Sequence, residues 1–172
     1  MKSQDILILL GILTWKGPKV TYERLSEAMG VSKTPTVHAV KRLVEARLYH
    51  EYFGKVNIPA TKEFLIHGVK YVFPHPNIEE NASEVLGFAT GISHPVFEGK
   101  INFPKKFVWP SAKGNEKGIP IKPLYDSIPD HCFTNIELME LLALIEVLRI
   151  GRIREVEFTE KLLLEKLSAY EK

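Results

Sequence analysis

Cysteine is nearly absent from these 172 residues: Cys132 stands alone, which excludes an intrachain disulfide framework and any all-cysteine metal centre. Long apolar runs are missing too. Ile6–Leu13 is the greasiest N-terminal stretch, but Gly11 interrupts it and Lys16 and Lys19 follow. It is well short of the roughly 20 residues that span a bilayer and has no small-residue cleavage site after it, so a soluble cytoplasmic chain without membrane partners is expected. There is little net charge: 23 Lys+Arg against 21 Asp+Glu leave +2 at pH 7. With 45% hydrophobic residues the chain can bury a core, which excludes wholesale disorder.

Catalytic patterns are equally scarce. Ser83, Ser93, Ser111 and Ser127 have no nucleophile-elbow context, and Gly114-Asn115-Glu116-Lys117-Gly118 reads as a flexible turn. Lys33-Thr34 lacks the glycine run of a phosphate loop. The six histidines (His38, His50, His67, His75, His94, His131) do not fall at metal-ligand spacing, and His131-Cys132 has no partners in zinc register. No enzyme, metal site or cofactor is expected.

What is present divides the chain in three. Residues 1–72 hold 11 Lys+Arg and 6 Asp+Glu, whereas residues 73–133 hold 6 and 7, and residues 134–172 hold 6 and 8. A polyanion would therefore prefer the N-terminal end. Most of the prolines lie in the middle, with the junctions Phe73-Pro74, Phe103-Pro104 and Trp109-Pro110. The expected organisation is a domain over 1–73, an irregular Pro/aromatic-rich segment over 74–133 packed on the core, and a C-terminal helical hairpin over 134–172.

Capping signals place the first helices. Ser3 is a candidate cap for a helix to about Trp15, stopped by Gly17-Pro18. Thr21 caps Tyr22–Met29, and Gly30 ends it as a C′ glycine. Thr34 as cap and Pro35 at the first helical position open a third helix to about Ala46. Val37, Val40, Leu43 and Val44 are expected inward; Thr36, His38, Lys41 and Arg42 outward. Two short helices across Gly-Val-Ser, the second basic on its outer face, form a helix-turn-helix pattern. Leu48–Phe53 predicts a short strand, and with only Gly54-Lys55 as a turn the wing is expected to be small or missing. A fourth helix spans about Ala60–Phe73.

The fold class expected is thus mainly α: a winged-helix-like helix-turn-helix domain with a short or absent wing, a long irregular middle and a C-terminal helical pair. The chemistry of the third helix suits DNA. Thr36, His38 and Arg42 would address base edges, with Arg42 offering its planar fork to guanine. Thr21, Ser32, Lys33, Thr34, Lys41, Arg47 and Lys55 would meet phosphates or flank the site. At the C-terminus Ile136–Ile150 is apolar around most of its circumference, and a helix through Leu167 follows. That surplus predicts a homodimer through Leu138, Leu141, Leu142, Ile145, Leu148, Leu163 and Leu167, or else packing within the chain.

The chain resembles a bacterial family of MarR-like, winged helix-turn-helix regulators. The resemblance rests on Leu25–Val44, on Lys62–Pro74, on Val108-Trp109-Pro110, Lys122-Pro123-Leu124-Tyr125 and Ile128-Pro129, and on Leu141–Arg149 with Gly151-Arg152. It implies DNA binding, without a target or effector. Between Gly30 and Val37 the chain holds one residue more than that pattern, which is expected to lengthen the turn. The function expected is a sequence-specific transcriptional regulator, most simply a dimeric repressor on double-stranded DNA. The alternative is a protein-interaction module, an antitoxin or adaptor reusing the scaffold. A small-molecule sensor would need a pocket between the middle segment and the terminal helices.

Overall fold

The computed structural model describes all residues except 77, 80, 101–104 and 172, so Phe103-Pro104 lies outside the described residues. The chain is mainly helical, with an N-terminal helical cluster, a middle region carrying small sheets and a C-terminal helix pair.

Helix α1 (Ser3–Leu13) starts differently from the expected Ser3 cap. The Asp5 carboxylate accepts the Lys2 backbone N–H at 2.7 Å, capping the helix from inside its first turn. Ile6 to Leu10 are all fully buried, so α1 is wrapped on every side. Helix α2 (Tyr22–Met29) begins at Thr21, whose hydroxyl accepts the Arg24 N–H at 3.3 Å. It ends at Gly30 in the left-handed region (φ 61°), where Val31 N–H reaches back to the Ser26 carbonyl at 3.0 Å. Helix α3 (Lys33–Glu45) opens at Ser32, two residues before the expected Thr34 cap. The link between the helices is Gly-Val-Ser, as expected, and Thr34 and Pro35 lie within the first turn of α3. Pro35 costs nothing there, because the first four N–H groups of a helix have no intrahelical acceptor.

A small two-stranded hairpin stands where the wing was expected. Strands β1 (Tyr49–His50) and β2 (Lys55–Val56) pair antiparallel, Tyr49 opposite Val56. Asn57 then caps α4 (Ile58–Glu63), accepting the Ala60 N–H at 3.2 Å. The helix continues through a π turn (Phe64–Gly68) into α5 (Val69–Val72), so the single helix expected over 60–73 carries one inserted wide turn.

The middle is less irregular than its composition suggests. Strand β3 (Val85–Ala89) pairs antiparallel with both β4 (Phe107–Pro110) and β5 (Glu116–Pro120), and β4 and β5 pair parallel, so the three strands close on themselves. Glycine makes this possible. A Cβ on Gly114 would lie 2.2 Å from the Gly87 backbone, and one on Gly118 2.6 Å from the Lys106 carbonyl. The stretch expected to be a flexible turn is thus a site of tight backbone approach.

A short helix α6 (Ile128–His131) precedes α7 (Ile136–Ile150) and α8 (Ile153–Ser168). The proposed dimer contacts Leu138, Leu141, Leu142, Ile145, Leu148, Leu163 and Leu167 are all buried within this one chain, at 3% exposure or less. They form one core with α1, α3, Trp109, Ile121 and Ile128. The interface assignment of these residues is corrected: the middle segment and N-terminal helices already cover them, and none is left for a second copy.

Three segments meet at a buried ion pair. Glu146 accepts from the Leu124 backbone N–H (2.9 Å) and from Arg149 Nη1 (2.6 Å), while Arg149 Nε donates to the Phe73 carbonyl (2.7 Å). Burial pushes the Glu146 carboxyl up to about 7, with Arg149 working against that rise.

Candidate nucleic-acid interface

The core face of α3 consists of Thr36, Ala39, Val40 and Leu43, spaced i, i+3, i+4, i+7. That face fixes the helix rotation. Thr34, Val37, His38, Lys41, Val44 and Glu45 fall on the opposite side, where all are exposed except Val37, which is half-buried. Val44, expected inward, is exposed and Val37, expected inward, is half-buried; Thr36, expected outward, is inward. The Thr36 hydroxyl donates to the Ser32 carbonyl at 3.0 Å and is fully buried, so it cannot touch a ligand.

Arg42 is likewise taken. Its Nε donates to Asp5 Oδ2 at 2.8 Å and its Nη2 to Asp5 Oδ1 at 2.6 Å, a bidentate pair with a carboxylate that has no solvent exposure. Asp5 holds the Arg42 guanidinium charged and raises its pKa further. The guanine-reading role expected of Arg42 is corrected to a clamp between α1 and α3. Lys41, one position earlier, takes the centre of the outward stripe.

The remaining expected contacts are exposed around this stripe. Ser32 and Thr34 sit at the start of α3, Thr21 at the start of α2, and Arg47 and Lys55 at the entry and second strand of the wing. Thr21 is occupied as a cap, and Lys33 pairs with Glu23, which lowers the Glu23 carboxyl. Arg47 has a left-handed backbone (φ 58°), and its carbonyl accepts from Asn57 Nδ2 at 3.0 Å, which holds the turn into the wing. Tyr22 OH donates to Glu51 Oε1 at 2.7 Å, tying α2 to the wing loop and raising the phenol to about 12. Tyr52 and Phe53, in the loop between β1 and β2, are both strongly exposed, and the sequence reading did not single them out. Their signal was the aromatic pair directly before Gly54-Lys55.

The α2–α3 pair is held from behind by the middle segment. Ser127 Oγ donates to the Met29 carbonyl at 2.6 Å, and the His131 ring fills the space where a Gly30 side chain would stand. A cleft of about 630 Å³ lies between β3, the following turns and α7, lined by Phe88, Ile92, His94, Phe97, Phe133 and Met139 among others. Burial lowers the His94 imidazole pKa. Among the described residues no group of three or more His, Cys, Asp or Glu could hold a metal ion, and no helix is long and apolar enough to cross a membrane.

Comparison with family models, with curated proteins and with solved structures gives no match in any of the three.

Proposed function

We propose that the chain is a sequence-specific DNA-binding transcriptional regulator of the winged helix-turn-helix, MarR-like kind, and most simply a repressor. The observation that carries this reading is the outward stripe of α3. Thr34, His38 and Lys41 stand exposed on a helix that is set by a three-residue turn from α2 and flanked by a wing bearing Lys55. Such a helix enters a major groove with its N-terminal half toward the base edges and with cations beside it for phosphate. In the register found here Thr34, His38 and Lys41 address the bases, while Ser32, Lys33, Arg47 and Lys55 meet the backbone.

The homodimer belongs to the proposal on the geometry of the motif alone, since two copies present two recognition helices to successive grooves. Its contacts would have to come from residues that the fold leaves exposed.

Recovery of bound fragments from a genomic library, with the wild type and with Lys41→Ala in parallel, tests the reading. A sequence class enriched by the wild type and lost in the variant supports it. No enrichment at low salt by the folded protein would end it.

The second reading, an antitoxin- or adaptor-like protein-interaction module, has in its favour the strongly exposed Ile136, Ile153 and Tyr71, which lie away from α3 in sequence. A stoichiometric partner that protects these residues and leaves Lys41 free would favour it.

A further inference from the structure

The wing ends in two aromatic residues that the fold leaves unburied. Tyr52 is 93% and Phe53 70% exposed, and their rings meet edge to face with centroids 5.1 Å apart. The hairpin holds them out. Gly54 turns the chain at φ 62° with its N–H on the Glu51 carbonyl (3.2 Å), and the loop between two-residue strands is too short to fold its side chains back onto the core.

The surroundings say what kind of partner would cover them. Lys55 follows Gly54 directly, His50 and Arg47 lead into the loop, and α3, which β1 packs against, presents Lys41 and His38 on its outer side. Lys41, Arg47 and Lys55 outnumber the carboxylates among them, which are Glu51 in the loop, accepting from the Tyr22 hydroxyl, and Glu45 at the end of α3. Exposed π-faces within a cationic surround fit a polyanion that itself carries π-faces.

We propose that Tyr52 and Phe53 form a base-stacking wedge, which takes double-stranded DNA at an unstacked or readily unstacked base step beside the groove occupied by α3. This rests on the DNA-binding reading of α3 and specifies the substrate it prefers. Apolar side chains inserted from the minor-groove side part neighbouring bases and kink the duplex. The cost of parting them depends on the step, lowest at flexible pyrimidine–purine steps and at mismatches. An aromatic wedge therefore reads deformability without reading base edges.

The experiment uses the full chain and two short fluorescent duplexes of the same mixed sequence, one fully paired and one with a central mismatch carrying 2-aminopurine. The wild type should bind the mismatched duplex about tenfold tighter, in the range that base–aromatic stacking gives, and should quench the 2-aminopurine on binding. Tyr52→Ser/Phe53→Ser should lose both the preference and the quenching while binding the paired duplex as before. Lys41→Ala should weaken both duplexes alike. A wild type that binds the paired duplex without preferring the mismatch, or a double variant that keeps the preference, overturns the wedge and leaves the DNA reading standing. Failure of the wild type to bind either duplex overturns both. Both substituted side chains lie outside the core, and an unchanged thermal midpoint confirms that the variant is folded.

Discussion

Adjacent residues on α3 have opposite fates, and a comparison of Lys41 with Arg42 separates them. Arg42 is the partner of a fully buried carboxylate, Asp5, so its removal leaves an uncompensated charge against α1. Arg42→Ala should cost roughly 3 kcal/mol in stability, measured by urea unfolding. Lys41→Ala, on the exposed side, should change stability by less than about 0.5 kcal/mol. The sequence marked both residues as cations on a basic helix, which was right about chemistry and wrong about direction for Arg42. The reason is physical. The true core stripe contains Thr36 and Ala39, residues with no strong hydrophobic signal, whereas the half-buried Val37 and exposed Val44 mimic one. The partner that fixes the rotation lies 37 residues away in sequence, beyond the reach of any local pattern.

At the scale of elements, local chemistry decided how much could be read. Thr21, Gly30 and the Gly-Val-Ser link delimit α2 and the start of α3, because caps and left-handed glycines act over three or four residues. Thr21→Ala should lower stability by about 1 kcal/mol, checked by thermal unfolding. Strands β3 to β5 were illegible because each has five residues or fewer, two end in proline, and their pairing depends on backbone approach at glycines that read as loop residues. Gly114→Ala should therefore cost roughly 3 kcal/mol by overpacking, although the substitution would be harmless in a flexible turn. Differential scanning calorimetry of that single variant distinguishes the two. Helices α7 and α8 were plain in sequence, yet their destination was not: a helix apolar on all sides must be buried, and periodicity does not say against what.

Across the whole molecule, Glu146 and Arg149 join the end of α5 at Phe73, the middle segment and α7. The carboxyl of Glu146 stands at about 7 in the folded chain, above its ordinary value of 4.5, because burial opposes its charge. A folded state that holds a proton more tightly than the unfolded chain is favoured at low pH. This contribution is complete below about pH 4.5 and disappears as pH rises through about 7. The loss amounts to about 2 kcal/mol between pH 5 and 7. His75 and His94, whose pKa values burial lowers, act in the opposite direction and gain stability as pH rises. The Glu146 effect is isolated by comparing unfolding free energies of the wild type and Glu146→Gln across that range. The variant, less stable throughout because Arg149 loses its partner, should lack the component that declines with pH.

If α3 and the hairpin bind DNA as proposed, the interaction is largely electrostatic. Lys33, Arg47 and Lys55 flank the exposed face of α3, and about three phosphate contacts per protomer would give a log–log salt slope near −3. The most direct measurement is the affinity of the wild type and of Lys41→Ala for the enriched genomic duplex, titrated by fluorescence anisotropy at several salt concentrations. The expected result is a steep slope for the wild type and about tenfold weaker binding by the variant, whose thermal midpoint is unchanged. Equal affinities for the two proteins, or a wild-type affinity indifferent to salt, would contradict the assignment of α3 and its wing to DNA.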